Sequence, residues 1–276
     1  MLLVPHDVLR PRRPDEHFAA EAAAAELVGL VDHDALAAGE PERAVARVPA
    51  YRGTVVYRGW MLGSSAYAGF AAALATRGLT LRTGAAEYRR AHELPGWYDA
   101  LAAFTPESRW TTGDDRDAFE AARTALGEGP AVLRDYTKSM KHHWDEAAYI
   151  PDLADAARAW EVARRMRELR DDEFTGGFVL RRFERFEQAE ARTWWAGGTC
   201  RLVSAHPDTP DDVPPLELPA GLAEAVAGLA LPFVTVDLAR RADGVWRVVE
   251  LGDGQVSDRP TTTAAADLVA LALEKK

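Results

Sequence analysis

The sequence predicts an α/β amino-terminal lobe on a largely parallel sheet, giving way to a strand-richer α+β part. Three observations carry this. Up to residue 84, short apolar runs alternate with helical stretches in the order strand, helix, strand, helix, strand. Beyond residue 190, four apolar runs are separated by turn signals, among them Gly197-Gly198 and Asp243-Gly244. With 276 residues, the chain is long for one small core and fits two or three packed lobes.

Leu2 to Pro5 reads as a first strand. Asp15 to Leu30 is rich in Ala and Glu and reads as a helix capped by Asp15, although Val28 to Val31 has the composition of a strand. Gly53 to Gly59 reads as a strand, Ser64 to Arg77 as a helix stopped by Gly78, and Leu79 to Arg82 as a strand. A second segment begins near Thr105. In it Asp115 to Leu126 and Leu153 to Leu169 read as helices, Ala131 to Tyr136 and Phe178 to Arg181 as strands. The last segment supplies strands at Ala191 to Trp195, Cys200 to Ser204, Phe233 to Leu238 and Trp246 to Leu251. Its helices are Pro219 to Leu229 and Thr261 to Leu273, and Asp208 to Pro219 reads as an exposed loop.

The formal charge is 33 − 43 = −10, which argues against a nucleic-acid backbone as the main partner. A local basic pocket remains compatible with it. The single cysteine, Cys200, allows no intrachain disulfide and favours a reducing compartment; it reads as a small core residue. The start lacks the basic-then-apolar pattern of a secretory signal, and no run is long enough to span a bilayer. A cytoplasmic protein without a membrane partner is the expectation. The Ala, Arg and Asp bias points to a GC-rich bacterial genome, and oligomeric state is not legible.

Four stretches carry candidate chemistry. Arg134 to His143 places three cations, two histidines and hydroxyls after an apolar strand, a local reversal of sign suited to a polyphosphate; a solvated loop is the plainer reading. In Phe178 to Glu184, Arg181 and Arg182 point to opposite faces of a strand, so one of them faces a pocket, and Glu184 can accept from ribose hydroxyls. Glu190 and Arg192 share a strand face, as a cross-strand ion pair or as a site for a carboxylate or phosphoryl group. Asp237 and Glu250 become cross-strand neighbours if their strands meet at the Asp243-Gly244 turn. Two such acids repel unless a cation lies between them, and magnesium uses one or two carboxylates plus phosphates. There is no Gly-x-Ser-x-Gly elbow and no Gly-Lys-Ser or Gly-Lys-Thr phosphate loop.

Taken together, these residues resemble the ATP-grasp superfamily. More narrowly, the chain resembles a bacterial and phage clade distinguished by an arginine and two lysines. Tyr57 to Leu62, Leu94 to Tyr98, Thr105 to Ser108, Lys138 to Trp144 and Val249 to Ser257 carry this narrower likeness. The resemblance implies a preATP-grasp α/β lobe at 1–104 and an ATP-grasp domain at 105–276, divided into 105–176 and 177–276. The two α+β lobes of that domain would clasp ATP. It implies ATP and Mg²⁺, and an ATP-dependent carboxylate–amine ligase that forms a peptide or amide bond through an acyl phosphate. Small-molecule or peptide carboxylates and amines would be its substrates. By the same resemblance Arg134, Lys138, Lys141, Arg181 and Glu184 bind the nucleotide, and Arg192 and Lys141 serve the transfer. Asp237, Glu250 and Asp253 hold metal. Arg58 and Gln255 are substrate candidates, with a structural ion pair as the other reading of Arg58. Two departures stand out. Gly252 occupies the place where many relatives carry Asn, and the Lys138 to Lys141 segment must serve as the phosphate loop. A small-molecule kinase and a non-catalytic ATP-binding module are the alternatives. A phosphorylated product formed without a second substrate marks the first, and nucleotide binding without ADP release marks the second.

Overall fold

The computed structural model describes residues 1–274. Its first sheet joins β1 (Leu2–Pro5), β2 (Val28–Val31), β3 (Gly53–Tyr57) and β4 (Leu79–Leu81) in the order β2-β1-β3-β4, every pair parallel. β1 is buried along its whole length, as a central parallel strand requires, which explains its unbroken apolar run. Helices α1 (Ala19–Ala23), α2 (His33–Ala37), α3 (Pro41–Ala44) and α4 (Ser64–Thr76) connect these strands, and α5 (Ala85–His92) and α6 (Leu94–Leu101) follow β4. The expected helix from Asp15 to Leu30 is much shorter. Asp15 caps a 3₁₀ turn at Glu16–Phe18, α1 ends at Ala23, and Val28 to Val31 pairs with β1. Ala-rich composition favoured helix, but pairing with β1 buries Gly29 and Val31.

The second sheet comprises β5 (Ser108–Trp110), β6 (Ala131–Arg134), β7 (Tyr149–Ile150) and β8 (Val179–Arg182), in the antiparallel order β5-β8-β6-β7. Helices α7 (Arg116–Leu126) and α8 (Ala156–Arg170) cover one of its faces, with Phe119, Leu126, Val162, Met166 and Leu180 at the centre. The third sheet comprises β9 (Phe186–Ala196), β10 (Thr199–Ala205), β11 (Phe233–Arg241) and β12 (Trp246–Asp253), in the antiparallel order β10-β9-β11-β12. α9 (Leu222–Gly228) and α6 pack on one face of it, through Trp97, Leu101, Trp195, Leu222 and Val236. On the opposite face, Trp194 and Phe233 share a core with Leu2, Val4, Val56 and the last helix, α10 (Ala265–Leu273). The first and third sheets are thus cemented together, and the second leans over the remaining part of the third. Among the described residues no helix is long and apolar enough to cross a membrane.

β6 ends at Arg134 rather than running to Tyr136, because Asp135 breaks it. The wholly buried Asp135 carboxylate accepts from the backbone N–H groups of Thr137 and Lys138, both at 2.7 Å, and from the Thr137 hydroxyl at 2.9 Å. Its other oxygen accepts from Arg170 Nε at 3.0 Å and from Thr175 N at 3.2 Å. One carboxylate thereby sets the shape of the turn that presents Lys138. Beside it, Gly176 adopts a φ of +74°, and a Cβ there would run into the Tyr136 ring. Gly176→Ala combines left-handed backbone strain with overpacking and is expected to lower stability by about 3 kcal/mol. Urea denaturation checks this; a loss below about 1 kcal/mol would show that Tyr136 moves aside freely.

Candidate active site

β9, β11 and β12 lie side by side, and their register sets three charged residues in a row. Asp237 on β11 pairs with Arg192 on β9 and with Glu250 on β12. Alternation along each strand points all three out of the face that meets the second sheet, away from α6 and α9. Arg192 grips Asp237 with a two-pronged contact, Nε to Oδ1 and Nη2 to Oδ2, each 2.8 Å. Both residues are largely buried, Glu250 is more open, and Arg134 approaches Glu250 at 3.9 Å.

A cleft of two connected cavities surrounds this row. One, of about 430 Å³, has Val132, Val249, Trp144 and Phe183 as its apolar walls and Arg134, Lys141, Arg181, Glu184, Glu190 and Glu250 as its polar ones. The other, of about 330 Å³, is lined by Lys138, Lys141, Arg192, Thr235, Asp237 and Gly252, among others. Ser139, Lys141, His206, Asp208, Asp237 and Glu250 line both. A third cavity of about 860 Å³ continues past Lys138 and His92 to His33 and the start of α4 at Ser64. The mid-chain cations and the late-strand acids therefore face one another across a shared space.

Individual positions vary. Lys141 pairs with Asp208, whereas Lys138 faces the second and third cavities with no acidic partner among the described residues. Arg134 Nη2 donates to Thr137 O at 2.7 Å and so braces the same turn. Arg181 points from β8 to the third sheet, donating to the carbonyls of Val248 and Val249, while Arg182 on the other face donates to Leu126 and Glu128 carbonyls. Burial, with Arg134 nearby, pushes the Arg181 guanidinium down to about 9. Glu184 borders the cavity, but Arg247 already holds both its oxygens, at 3.0 and 3.1 Å. Burial and the neighbouring Asp237 and Glu250 push the Glu190 carboxyl up to about 7.

Three expected positions lie elsewhere. Arg58 is fully buried and gives Glu21 two hydrogen bonds, at 2.6 and 3.0 Å, and the carbonyls of Gly254 and Ser257 one each, at 2.6 and 2.8 Å. Gln255 is also fully buried, accepting from Tyr57 N and donating to the Tyr67 hydroxyl. Both are struts between the first sheet and the turn after β12, and neither presents a free polar group to a substrate. Asp253 is removed from the metal set by strand alternation. Glu250 and Gly252 face the cleft, so Asp253 points away from it, into the interior beside Tyr67, Tyr88 and Thr83.

Asp253 is wholly buried, and its Oδ2 has no hydrogen-bond partner. Burial pushes its carboxyl up to about 7, although the Gln255 N–H bound to Oδ1 pulls the other way. The unfolded chain releases this proton in the ordinary carboxylate range near pH 4, so between about pH 4 and pH 7 the folded state binds more protons than the unfolded state. Stability falls as pH rises through that window and levels off above it, a change on the order of 4 kcal/mol. Asp253→Asn is expected to flatten this dependence in thermal melts. Parallel pH profiles for the two proteins would show that Asp253 does not titrate in the fold.

Asp135, Ser139, His206 and Asp208 border or shape the cleft without having been singled out in the sequence. His206 Nε2 lies 3.7 Å from Asp237 Oδ2, and burial lowers the His206 pKa. The segment expected to be an exposed loop from Asp208 therefore begins by passing over the site. An acid immediately after an apolar strand and before a basic turn was the available signal for Asp135. His206 and Asp208 carried none.

This arrangement of sheets is the ATP-grasp fold. The chain superposes on a RimK domain protein ATP-grasp from Sphaerobacter thermophilus with a TM-score of 0.62 and 19% identity, covering 99% of this chain and 100% of that one. It matches D-cycloserine synthetase DcsG with a TM-score of 0.58 and 18% identity over 98% of each chain. For the ATP-grasp ligase PsnB complexed with minimal precursor, Mg and ADP, the TM-score is 0.56 and the identity 12%, over 99% of this chain and 96% of that one. Residues 125–271 match the model of an ATP-grasp domain, family 3 of the clade named for its arginine and two lysines, and the chain belongs to that family. No curated protein sequence matches it.

Proposed function

We propose that the chain is an ATP- and magnesium-dependent ligase that joins a carboxylate to an amine. The observation that carries this reading is the row Arg192, Asp237, Glu250 set against Lys141 in one cleft. Fixed cations on one wall and acids on the other match a metal-bound triphosphate better than any apolar ligand. The first cavity suits the nucleotide, with adenine between Val132, Val249, Trp144 and Phe183 and phosphates toward Arg134 and Lys141. Lys138 meets the terminal phosphate from the second cavity.

The donor set fits magnesium. Among the described residues no three His, Cys, Asp or Glu side chains form a metal cage, which suits an ion that takes one or two carboxylates and completes its shell with phosphates and water. Glu250 and Asp237 would hold it. Arg192 takes two of the roughly four lone-pair sites of the Asp237 carboxylate, which leaves others for the ion. The metal would supply charge neutralisation at the phosphates. A substrate carboxylate oxygen attacks the γ-phosphorus, the bond to the β-phosphate oxygen breaks, and ADP leaves. Lys138, Lys141 and Arg192 offset the charge spread over the transferring oxygens. The amine then attacks the acyl carbon, and inorganic phosphate departs as the amide forms.

By this reading the carboxylate and amine enter through the third cavity, and 1–104, 105–176 and 177–276 act as three lobes around the cleft. Substrates are small molecules or peptides, with no role for nucleic acid or membrane. The lone cysteine suits a reducing cytoplasm. The test is ADP release from ATP and Mg²⁺ with pooled amino acids and short peptides, with products read by mass spectrometry. An amide product formed only in the presence of both substrates supports the ligase. A stable phosphorylated product from one substrate, or binding without ADP release, would overturn it.

A further inference from the structure

The loop after β1 carries a feature that the nucleotide cleft does not use. Arg10, Arg12 and Arg13, with Arg47 arriving from beyond α3, line one open hollow of about 420 Å³, and only Pro11 lines it with them. In a chain of net charge −10, most buried arginines find carboxylates or carbonyls, as Arg58 and Arg192 do. Among the described residues these four guanidinium groups have no ion pair and no hydrogen bond. Their convergence is held by the backbone. Asp7 N donates to Arg13 O at 3.0 Å, Arg13 N to Arg10 O at 2.8 Å, and the Asp7 carboxylate accepts from Leu9 N and Arg10 N, both at 2.8 Å. A bridge between His6 and Pro14 closes the base. The loop thus holds like charges together without a counter-charge from its own chain.

We propose that this hollow docks an acidic peptide segment. Guanidinium groups recognise carboxylates through paired N–H donors, and four in one concavity suit several carboxylates in sequence. Val8 and Leu9, 67% and 87% exposed, stand on the same loop and offer apolar contact that a peptide can use and a free inorganic anion cannot. A hollow cannot seat a flat bilayer, and beyond a Debye length of about 8 Å an extended polyanion meets the repulsion of the acidic surface. Val8 and His6 line a small cavity with His33, and His33 also lines the third cavity of the cleft. A segment seated on the arginines therefore lies on a surface that continues toward the candidate active site. The docking site stands independently of the ligase reading.

The experiment uses the intact protein and a fluorescein-labelled short peptide of alternating glutamate and leucine, read by anisotropy. Saturable binding is expected, weakening at least roughly tenfold between about 50 and about 300 mM salt. The combined Arg10→Gln, Arg12→Gln and Arg13→Gln variant is expected to lose roughly tenfold or more in affinity, and Arg52→Gln, elsewhere on the surface, to lose nothing. Should the combined variant melt early, single Arg12→Gln and Arg47→Gln variants replace it, each expected to lose roughly threefold. Absence of saturable binding, or binding that survives these substitutions, overturns the proposal. So does arginine-dependent binding of oligothymidylate or phosphatidylserine vesicles that is tighter than binding of the peptide.

Discussion

Glu250→Gln is expected to lower ATP turnover by about two to three orders of magnitude while leaving the melting temperature nearly unchanged. The two halves of that expectation have separate causes. Glu250 is 41% exposed at the side chain, and its one cationic neighbour, Arg134, lies 3.9 Å away, so its charge contributes little to folding. Glutamine keeps the volume and one carbonyl oxygen, and it removes the negative charge needed to hold magnesium opposite Asp237. The magnesium concentration giving half-maximal turnover should rise sharply, whereas nucleotide binding without magnesium should persist, because Arg134, Lys138 and Lys141 are untouched. Turnover within about threefold of wild type at limiting magnesium would remove Glu250 from the metal site.

That row of charges was legible before any coordinates. Two β-branched runs meeting at Asp243-Gly244 place Asp237 against Glu250, and the ladder carries this register despite a bulge immediately after Asp237. The same period of two, applied one step further, separates Asp253 from Glu250 and Gly252; likeness to a family had hidden that simple count. Arg58 and Gln255 show a different limit. A motif names residue types, but the side to which a side chain turns depends on partners far away in sequence, here Glu21 and Tyr67. Asp135 organises the lysine turn through contacts with residues up to 40 positions away, which no local pattern encodes. The arginine hollow needed Arg47 brought beside Arg10 to Arg13, a juxtaposition made by packing of the first lobe.

Arg58→Met is expected to lower folding stability by about 3 kcal/mol, a large share of the total for a domain of ordinary stability. Methionine fills much of the space but leaves Glu21, 2% exposed, without its two-pronged partner. Breaking one side of a buried pair strands the other charge, which costs more than the pair was worth. Arg259 Nε stands 3.5 Å from Glu21 Oε1 and takes up part of that charge, which places the loss toward the low end of the usual range. The carbonyls of Gly254 and Ser257 lose a donor as well, so the turn that borders the second cavity loosens. KM for the substrates should therefore rise more than kcat falls, the reverse of the Glu250 pattern. Adding Glu21→Met to Arg58→Met should restore about half of the lost stability, since an apolar pair no longer buries an unmatched charge. Urea denaturation of the two single variants and the double variant reads this cycle. If Arg58→Met costs less than about 1 kcal/mol, the strut between the first sheet and the last hairpin is not what joins the lobes.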